Sequence, residues 1–508
     1  MPQHSSARTP RFEIIVSHVS QRWRNLAVLS PSLWTNISFC DLGVFEMTRV
    51  YLERSRQHRL AIELDLTECK RRSAKKRGTL RFIYPDYHSI ELLRALELVV
   101  RHIARWSSFT LVVLNPFLMD VALAYLANVP SAPILNDLTM AIRRPNFHTF
   151  PQLSKSVSAL LPFSGHAPNL KSLSLESICF RWDSDFYKGL TVLRLDGLNK
   201  IETQPAVEVF QRVLRDCSRL ETLVLSGTSP ADATGFDLPV ELPALRHLVL
   251  RDLDCRDAMA IIHRIVVPAL RIFQLHLHDL REDHTTAEVL ELLETLCAPY
   301  ASPHASMLHS VEALQVDNVQ WPDVHWTPHE EYTTHSLLKV LPSLRVLALS
   351  TAEDNGMLAL FGGEPRTRTS RDPPEKGRRA PTYCPELRII VIPFPHAEPT
   401  MALLRHREKL CLPLDKLVCG NTARLSDAEI EEIEGHVFLE MLPGYGTQGG
   451  PHALRPYLSL DLEHYLEESY TFTMYENGMV AGGEGPDGPD DALEEAEGGL
   501  DESLSTRA

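Results

Sequence analysis

The side chains best able to do chemistry in this 508-residue chain are a histidine cluster, scattered cysteines, adjacent acidic pairs and two glycine-rich stretches. His276-Leu277-His278-Asp279, with Asp283 and His284 close behind, sets two imidazoles two residues apart. On a strand that spacing brings both rings to one face, as a metal site requires. Leu277 between them continues a buried face, so the pair reads as strand positions and no metal is expected. Gly444-Tyr-Gly446-Thr-Gln-Gly449 and Gly483-Glu-Gly485-Pro-Asp-Gly488 match G-x-G-x-x-G by letter. Pro451 follows the first and acidic residues surround the second, so neither opens a helix after a strand, the context that dinucleotide binding needs. No phosphate-loop motif and no G-x-S-x-G nucleophile elbow occurs. Glu330-Glu331 and Glu431-Glu432 are neighbours in sequence, so on a helix they diverge instead of pairing as acid and base. Cys179, Cys217, Cys255 and Cys384 have no base nearby in sequence and suit small buried positions. The expectation is a chain with no catalytic residue, no metal and no cofactor.

A different signal is strong. The phrase L-x-x-L-x-L recurs at Leu170, Leu190, Leu220, Leu245 and Leu270, at intervals of 20, 30, 25 and 25 residues. Looser copies begin at Leu135, Val311, Leu344 and Leu387. These intervals fall near the ~20–29 residues of a leucine-rich repeat. Alternation at the end of each phrase is the period of a strand with one buried face. Between phrases the patterning turns helical, as in Val207, Phe210, Val213 and Leu214. An X-Pro-x-Leu lead-in precedes the strands at Pro168, Pro243, Pro268, Pro342 and Pro385, where proline stops a helix and tolerates a strand start. The fold class expected is α/β: a leucine-rich-repeat solenoid over 58–445, with a parallel concave sheet and helices outside. No regular Asn follows the strands, so irregular turns are expected. Ser426 with Glu429 three residues on has the signature of a helix N-cap.

With the leucines inward, the interleaved side chains should line the concave face and hold an unidentified target protein. They are Arg194, Asp196, His247, Arg251, Gln274, His276, Gln315 and Asp317. Stretches 69–81, 299–332 and 362–381 break the pattern and read as insertions; the basic 69–81 reads first as a solvated loop, with a nuclear signal or a nucleic-acid patch as the alternative. Net charge is −15, and the tail 481–508 carries nine acidic residues against Arg507 alone, about half of that total. The tail should be disordered. An acidic balance argues against coating nucleic acid or an anionic membrane. No stretch approaches the ~20 apolar residues of a membrane span, and nine cysteines without a CxxC pair fit a reducing compartment. A cytoplasmic or nuclear location is expected.

At the other end, Ile15, Val19, Trp23 and Leu26 fall at helical spacing, with Ser30-Pro31 as the stop and Leu33-Trp34 as a second apolar turn. The run Val16-Ser-His-Val19-Ser-Gln-Arg22-Trp23-Arg24-Asn-Leu26-Ala27, followed by Ser30-Pro31-Ser-Leu33-Trp34, resembles the second half of an F-box. With the repeats it makes roughly residues 12–440 similar to F-box proteins with degenerate leucine-rich repeats, of the kind abundant in mushroom-forming fungi. Leu60–Leu66 and Arg105–Leu111 sit where that family has its first two strands. The resemblance implies docking on a Skp-type adaptor of a cullin-RING ubiquitin ligase through a short helical element at 12–39. It implies adaptor contacts by Val19, Trp23, Leu26, Leu33 and Trp34, and a solenoid that holds the protein to be ubiquitinated. An F-box also opens with a Leu-Pro pair and a helix ending in Ile-Phe, which this sequence lacks; half of the adaptor-binding helices are therefore expected to be absent. Read from the residues alone, the same segment is a helical cap on an interaction scaffold with no link to a ligase.

Overall fold

The computed structural model describes residues 11–39, 45–67, 85–143, 160–198, 204–230, 238–278, 286–299, 306–317, 319, 328–349, 383–392, 395–420, 422, 425–441 and 462–467. The insertions at 69–81 and 362–381, parts of 299–332, both glycine-rich stretches and the 481–508 tail lie outside these residues.

The described residues are mixed α/β and are organised by one open parallel sheet of 14 strands. Its strands run in sequence order: β1 (Asn36–Phe39), β2 (Leu60–Asp65), β3 (Trp106–Val113), β4 (Asp137–Ile142), β5 (Ser172–Glu176), β6 (Val192–Asp196) and β7 (Thr222–Ser226). After them come β9 (His247–Leu253), β11 (Ile272–Leu277), β12 (Ala313–Asp317), β13 (Val346–Leu349), β14 (Ile389–Ile392), β15 (Lys416–Cys419) and β16 (Phe438–Met441). The short strands β8 (Val240–Glu241) and β10 (Ile265–Val266) form a separate parallel pair. The N-terminal element does not stand apart from the repeats, because its last four residues are the first strand of the sheet.

The repeat phrase fixes the register. Leu173, Leu193, Leu223, Leu248, Phe273, Leu314, Leu347, Ile390 and Leu417 lie opposite one another strand by strand. With Leu175, Leu195, Leu225, Leu250 and Leu275 they bury a continuous core shared with helical side chains such as Leu96, Met119, Phe210, Leu214, Leu292 and Leu404. The segment expected to be helical is the helix Val207–Asp216, with Val207, Phe210, Val213 and Leu214 buried. Burying a leucine row on every strand is what makes a set of four- to eight-residue strands stable together, since none can cover its apolar face alone. Trp106, fully buried, stacks on Phe109 at 4.7 Å between ring centres and donates its indole N–H to the Val99 carbonyl at 3.1 Å.

The ends of the strands are more regular than expected. Each proline lead-in closes a turn in which the first leucine donates its N–H three residues back: Leu170 to Ala167, Leu245 to Leu242, Leu270 to Val267, Leu344 to Leu341 and Leu387 to Cys384. Proline sits at the second position of that turn, where its fixed φ is favourable. At the other end, Ser177, Gly197, Gly227 and Asp252 all take left-handed φ values of 57°, 70°, 48° and 52°. The first three donate their N–H to the carbonyls of Asp196, Ser226 and Arg251 on the next strand. The expectation of irregular turns is thus corrected over β5–β9: one backbone bend recurs, and glycine occupies only two of its four copies, where it adopts the left-handed region without steric cost. Ser426 does cap the helix Asp427–Glu434 in a complete capping box with Glu429.

Candidate functional site

The face of the sheet opposite the leucines carries three lateral rows of side chains. The first runs through Ser172, Val192, Thr222, His247, Ile272, Ala313, Val346, Ile389 and Lys416. The second runs through Ser174, Arg194, Val224, Val249, Gln274, Gln315, Ala348, Val391 and Val418; the third through Glu176, Asp196, Ser226, Arg251, His276 and Asp317. The eight residues expected on an open face all lie in these rows. They divide into two environments.

Over β5–β9 the face meets solvent and is charged. Asp196 is exposed, and Arg194, His247 and Arg251 are partly so. Arg143 Nε donates to Glu176 Oε2 at 2.8 Å, and the Ser226 hydroxyl donates to Asp252 Oδ2 at 3.3 Å. Arg194 is held below the usual arginine range by the protein packed around it and by Arg251. The carboxyl of Asp196 is raised to about 6, first by crowding from surrounding protein, then by repulsion from Glu176 and Asp252, against a Ser226 hydrogen bond and Arg251. A carboxylate raised in the fold above its unfolded value favours folding while protonated. That contribution is complete below about pH 4 and is lost as pH rises through 6. Asp196→Asn should therefore match the parent chain in urea midpoint near pH 4 and exceed it slightly at pH 7.5. The effect is small because solvent at Asp196 screens it. An unchanged difference across that range would show that Asp196 does not titrate in this way.

Over β11–β15 the expectation of an open face is corrected. Gln274, His276, Gln315 and Asp317 are all buried, His276 and Gln315 completely. They form a chain: Gln274 Nε2 donates to Gln315 Oε1 at 2.9 Å, Gln315 Nε2 donates to Asp317 Oδ2 at 2.9 Å, and Asp317 pairs with His276 Nδ1. A second apolar cluster lies on the same face. Ile272, Ala313, Val346, Ala348, Ile389, Val391 and Val418 pack against Leu462, Tyr465 and Leu466 of a helix at 462–467. The sequence holds both signals for it. Val346–Leu349 and Ile389–Ile392 are apolar at every position, the mark of strands buried on both faces. Leu462, Tyr465 and Leu466 have helical i, i+3, i+4 spacing.

The N-terminal candidates also divide. The helical period expected from Ile15 to Leu26 is interrupted: α1 (Phe12–Val19) ends at Ser20, whose extended backbone starts α2 (Gln21–Leu29). The Ser20 hydroxyl accepts the Trp23 N–H, and satisfying that free helix-end donor favours a new start over continuation. Val19, Trp23 and Leu26 are 64%, 51% and 51% exposed, and Phe12 and Leu29 on the same two helices are exposed as well. Trp34 is the reverse. It is buried, donates its indole N–H to the Ala27 carbonyl at 2.7 Å, meets Tyr51 edge-on and has the Arg54 guanidinium over its ring at 4.4 Å. Leu33 packs partly buried against the same core. Of the five expected adaptor contacts, these two serve the fold. Arg11 covers the outer edge of the sheet, donating to the Asn36 and Ser38 carbonyls of β1 at 3.1 and 3.4 Å.

Burial disfavours the thiolate at five of the described cysteines. Burial pushes Cys179, Cys255, Cys384 and Cys419 up to about 12 and Cys217 up to about 11. At about 12, roughly one thiol in 10⁴ is ionised at pH 8. Brief treatment of the native chain with N-ethylmaleimide should modify the exposed Cys411 and spare these five, as read by peptide mass spectrometry. Equal labelling of Cys384 and Cys411 would contradict the packing. His276 is buried against Asp317 while His278 is exposed, and Asp279, Asp283 and His284 lie outside the described residues. Among the described residues, no group of three or more His, Cys, Asp or Glu side chains is placed to hold a metal, and no helix is long and apolar enough to cross a membrane. Compared with known proteins, the chain matches no family model and no curated protein.

Proposed function

We propose that this chain is a non-catalytic, intracellular receptor, cytoplasmic or nuclear, built as a leucine-rich-repeat solenoid. In this reading α1 and α2 dock on a Skp-type adaptor of a cullin-RING ubiquitin ligase, and the face opposite the leucine core holds the protein to be ubiquitinated. The observation that carries it is the exposure of Val19, Trp23 and Leu26, together with Phe12 and Leu29, on two short helices at one end of the sheet. Large apolar side chains left in water on so small a unit mark a protein-binding surface. The in-register leucine rows support the solenoid, because sequential parallel strands at intervals of 20 to 30 residues are what stacked repeats produce. The mechanism is proximity: one partner bound at the end of the sheet and another on its face share a high effective concentration, with no bond made or broken by this chain.

A second reading has its own support. The burial of Trp34, the packing of Leu33 and the bonds from Arg11 to the edge of β1 are what a helical cap on an interaction scaffold would do, with no ligase attached. Co-expression of the full chain with a Skp-type adaptor separates the two. Co-elution in size exclusion is the expected result. A chain that elutes alone, while circular dichroism shows it folded, sinks the ligase reading and leaves the scaffold.

A further inference from the structure

Two cations on the open half of the face lack the partners that its anions have. Over β5–β9 each carboxylate has a polar neighbour: Glu176 takes Arg143 Nε at 2.8 Å, Asp252 takes the Ser226 hydroxyl at 3.3 Å, and Asp196 lies by Ser226 and Arg251. Among the described residues, no hydrogen bond or ion pair holds the guanidinium of Arg194 or of Arg251. The Arg251 Nε is covered by protein and has no acceptor. Covered donors nearly always find an acceptor, and an exception marks a place where water, an ion or a ligand completes the set. The charge that acts on Arg194 is a like one, that of Arg251, and the protein around Arg194 thins its hydration. The two arginines stand on either side of β7, Arg194 in register with Val224 and Arg251 with Ser226. Two strand spacings of ~4.8 Å set their backbones roughly 10 Å apart across the sheet. Between them lie Val224, partly exposed, and the buried Ser226.

We infer that Arg194 and Arg251 form an anion-binding pair that receives an aspartate or glutamate carboxylate of the protein held on this face. This rests on the reading of this face as the one that holds a protein, and is independent of the adaptor. A carboxylate set between the two guanidiniums removes their mutual repulsion, and its two oxygens match the planar fork of arginine. Where protein has displaced part of the water, the attraction is stronger than on a fully open surface. The same surroundings select against a more highly charged ligand. Asp196, two residues beyond Arg194 on the same face, and Asp252, next to Arg251, place negative charge beside the pair. A phosphate group carries about −1.5 to −2 at neutral pH, so it meets that repulsion nearly twice over; a carboxylate meets it once.

The test titrates the full chain, at low ionic strength, into fluorescein-labelled peptides of equal length built from Gly-Glu-Ser, Gly-Lys-Ser or Gly-phosphoserine-Ser repeats, with binding read by anisotropy. The glutamate peptide should bind the parent chain at least as tightly as the phosphoserine peptide. Arg194→Gln with Arg251→Gln should weaken it at least tenfold. Arg212→Gln with Arg215→Gln removes the same charge from exposed positions on the helix Val207–Asp216, which packs on the leucine side, and should change the affinity by less than about twofold. Circular dichroism checks the fold of each variant. If the first double variant does not fold, Arg194→Gln alone, at a partly exposed position, replaces it and should weaken binding at least threefold. No binding of the glutamate peptide, an equal loss in both double variants, or tighter binding of the phosphoserine peptide each overturn the proposal. Binding of the lysine peptide alone removes the anion pair and leaves the face as one that holds a protein; binding of none removes both. No adaptor is present in these measurements, so they leave the ligase reading untouched.

Discussion

Trp23→Ala combined with Leu26→Ala should weaken capture of a Skp-type adaptor by at least about 100-fold while leaving the unfolding midpoint of the chain within error of the parent. Both side chains are more than half exposed in the free chain, so their truncation opens no cavity and removes little from stability. At an interface the position reverses. Tryptophan is among the residues that most often dominate binding, with truncation costs of about 2–4 kcal/mol, and each 1.4 kcal/mol is a factor of ten in affinity. Isothermal titration of the adaptor into each variant measures the ratio. An unchanged affinity in the double variant would remove α1–α2 as the docking surface. Trp34→Ala is the wrong test, because its ring lies in the core and its loss would disturb α2 and β1 together.

Arg407→Ala should be the most damaging change in the C-terminal half, at about 4 kcal/mol. Arg407 is buried on the helix Ala397–Lys409 and reaches three backbone carbonyls: Leu412 from Nε at 2.9 Å, Leu387 from Nη2 at 2.9 Å and Cys384 from Nη1 at 3.3 Å. Burial lowers its guanidinium to about 10, which still leaves it charged at neutral pH. The three carbonyls belong to the turn that leads into β14 and to the exit from the helix, so one side chain fastens helix, turn and following strand. Alanine strands those acceptors and empties the space. Lysine does not restore them, since a single ammonium cannot present a planar fork to three separated carbonyls. Urea denaturation gives the magnitude, and hydrogen exchange should locate the loss around β14 and β15. A loss below about 1 kcal/mol would mean that water replaces the guanidinium at no great cost.

The sheet was legible because its information is local and repeated. A leucine phrase states both the strand period and the buried face, and copies at similar intervals can stack only in phase. The exit bend was harder to read because its chemistry changes while its place does not: Ser177 takes the same left-handed φ and makes the same bond to the next strand as Gly197 and Gly227, and Asp252 shares the φ. The break in the first helix turned on Ser20, a residue able to cap a helix or to sit within one. The candidate site was half legible. Arg194, Asp196, His247 and Arg251 keep contact with solvent as alternation predicts. Gln274, His276, Gln315 and Asp317 obey the same alternation, yet are buried, beside apolar strand positions that pack against residues 462–466. Periodicity says which face a side chain is on. It does not say what else will land there, although the unbroken apolar runs of β13 and β14 state that something must.

The covering helix also sets an order of events during synthesis. Val418 is the last strand residue of the second apolar cluster to be made, and Leu466 follows 48 positions later. At a translation rate of about 5–20 residues per second, roughly 2–10 s separate the two. Leu462, Tyr465 and Leu466 cannot join that cluster until their segment has been made, so its burial is completed only after the strands beneath it exist.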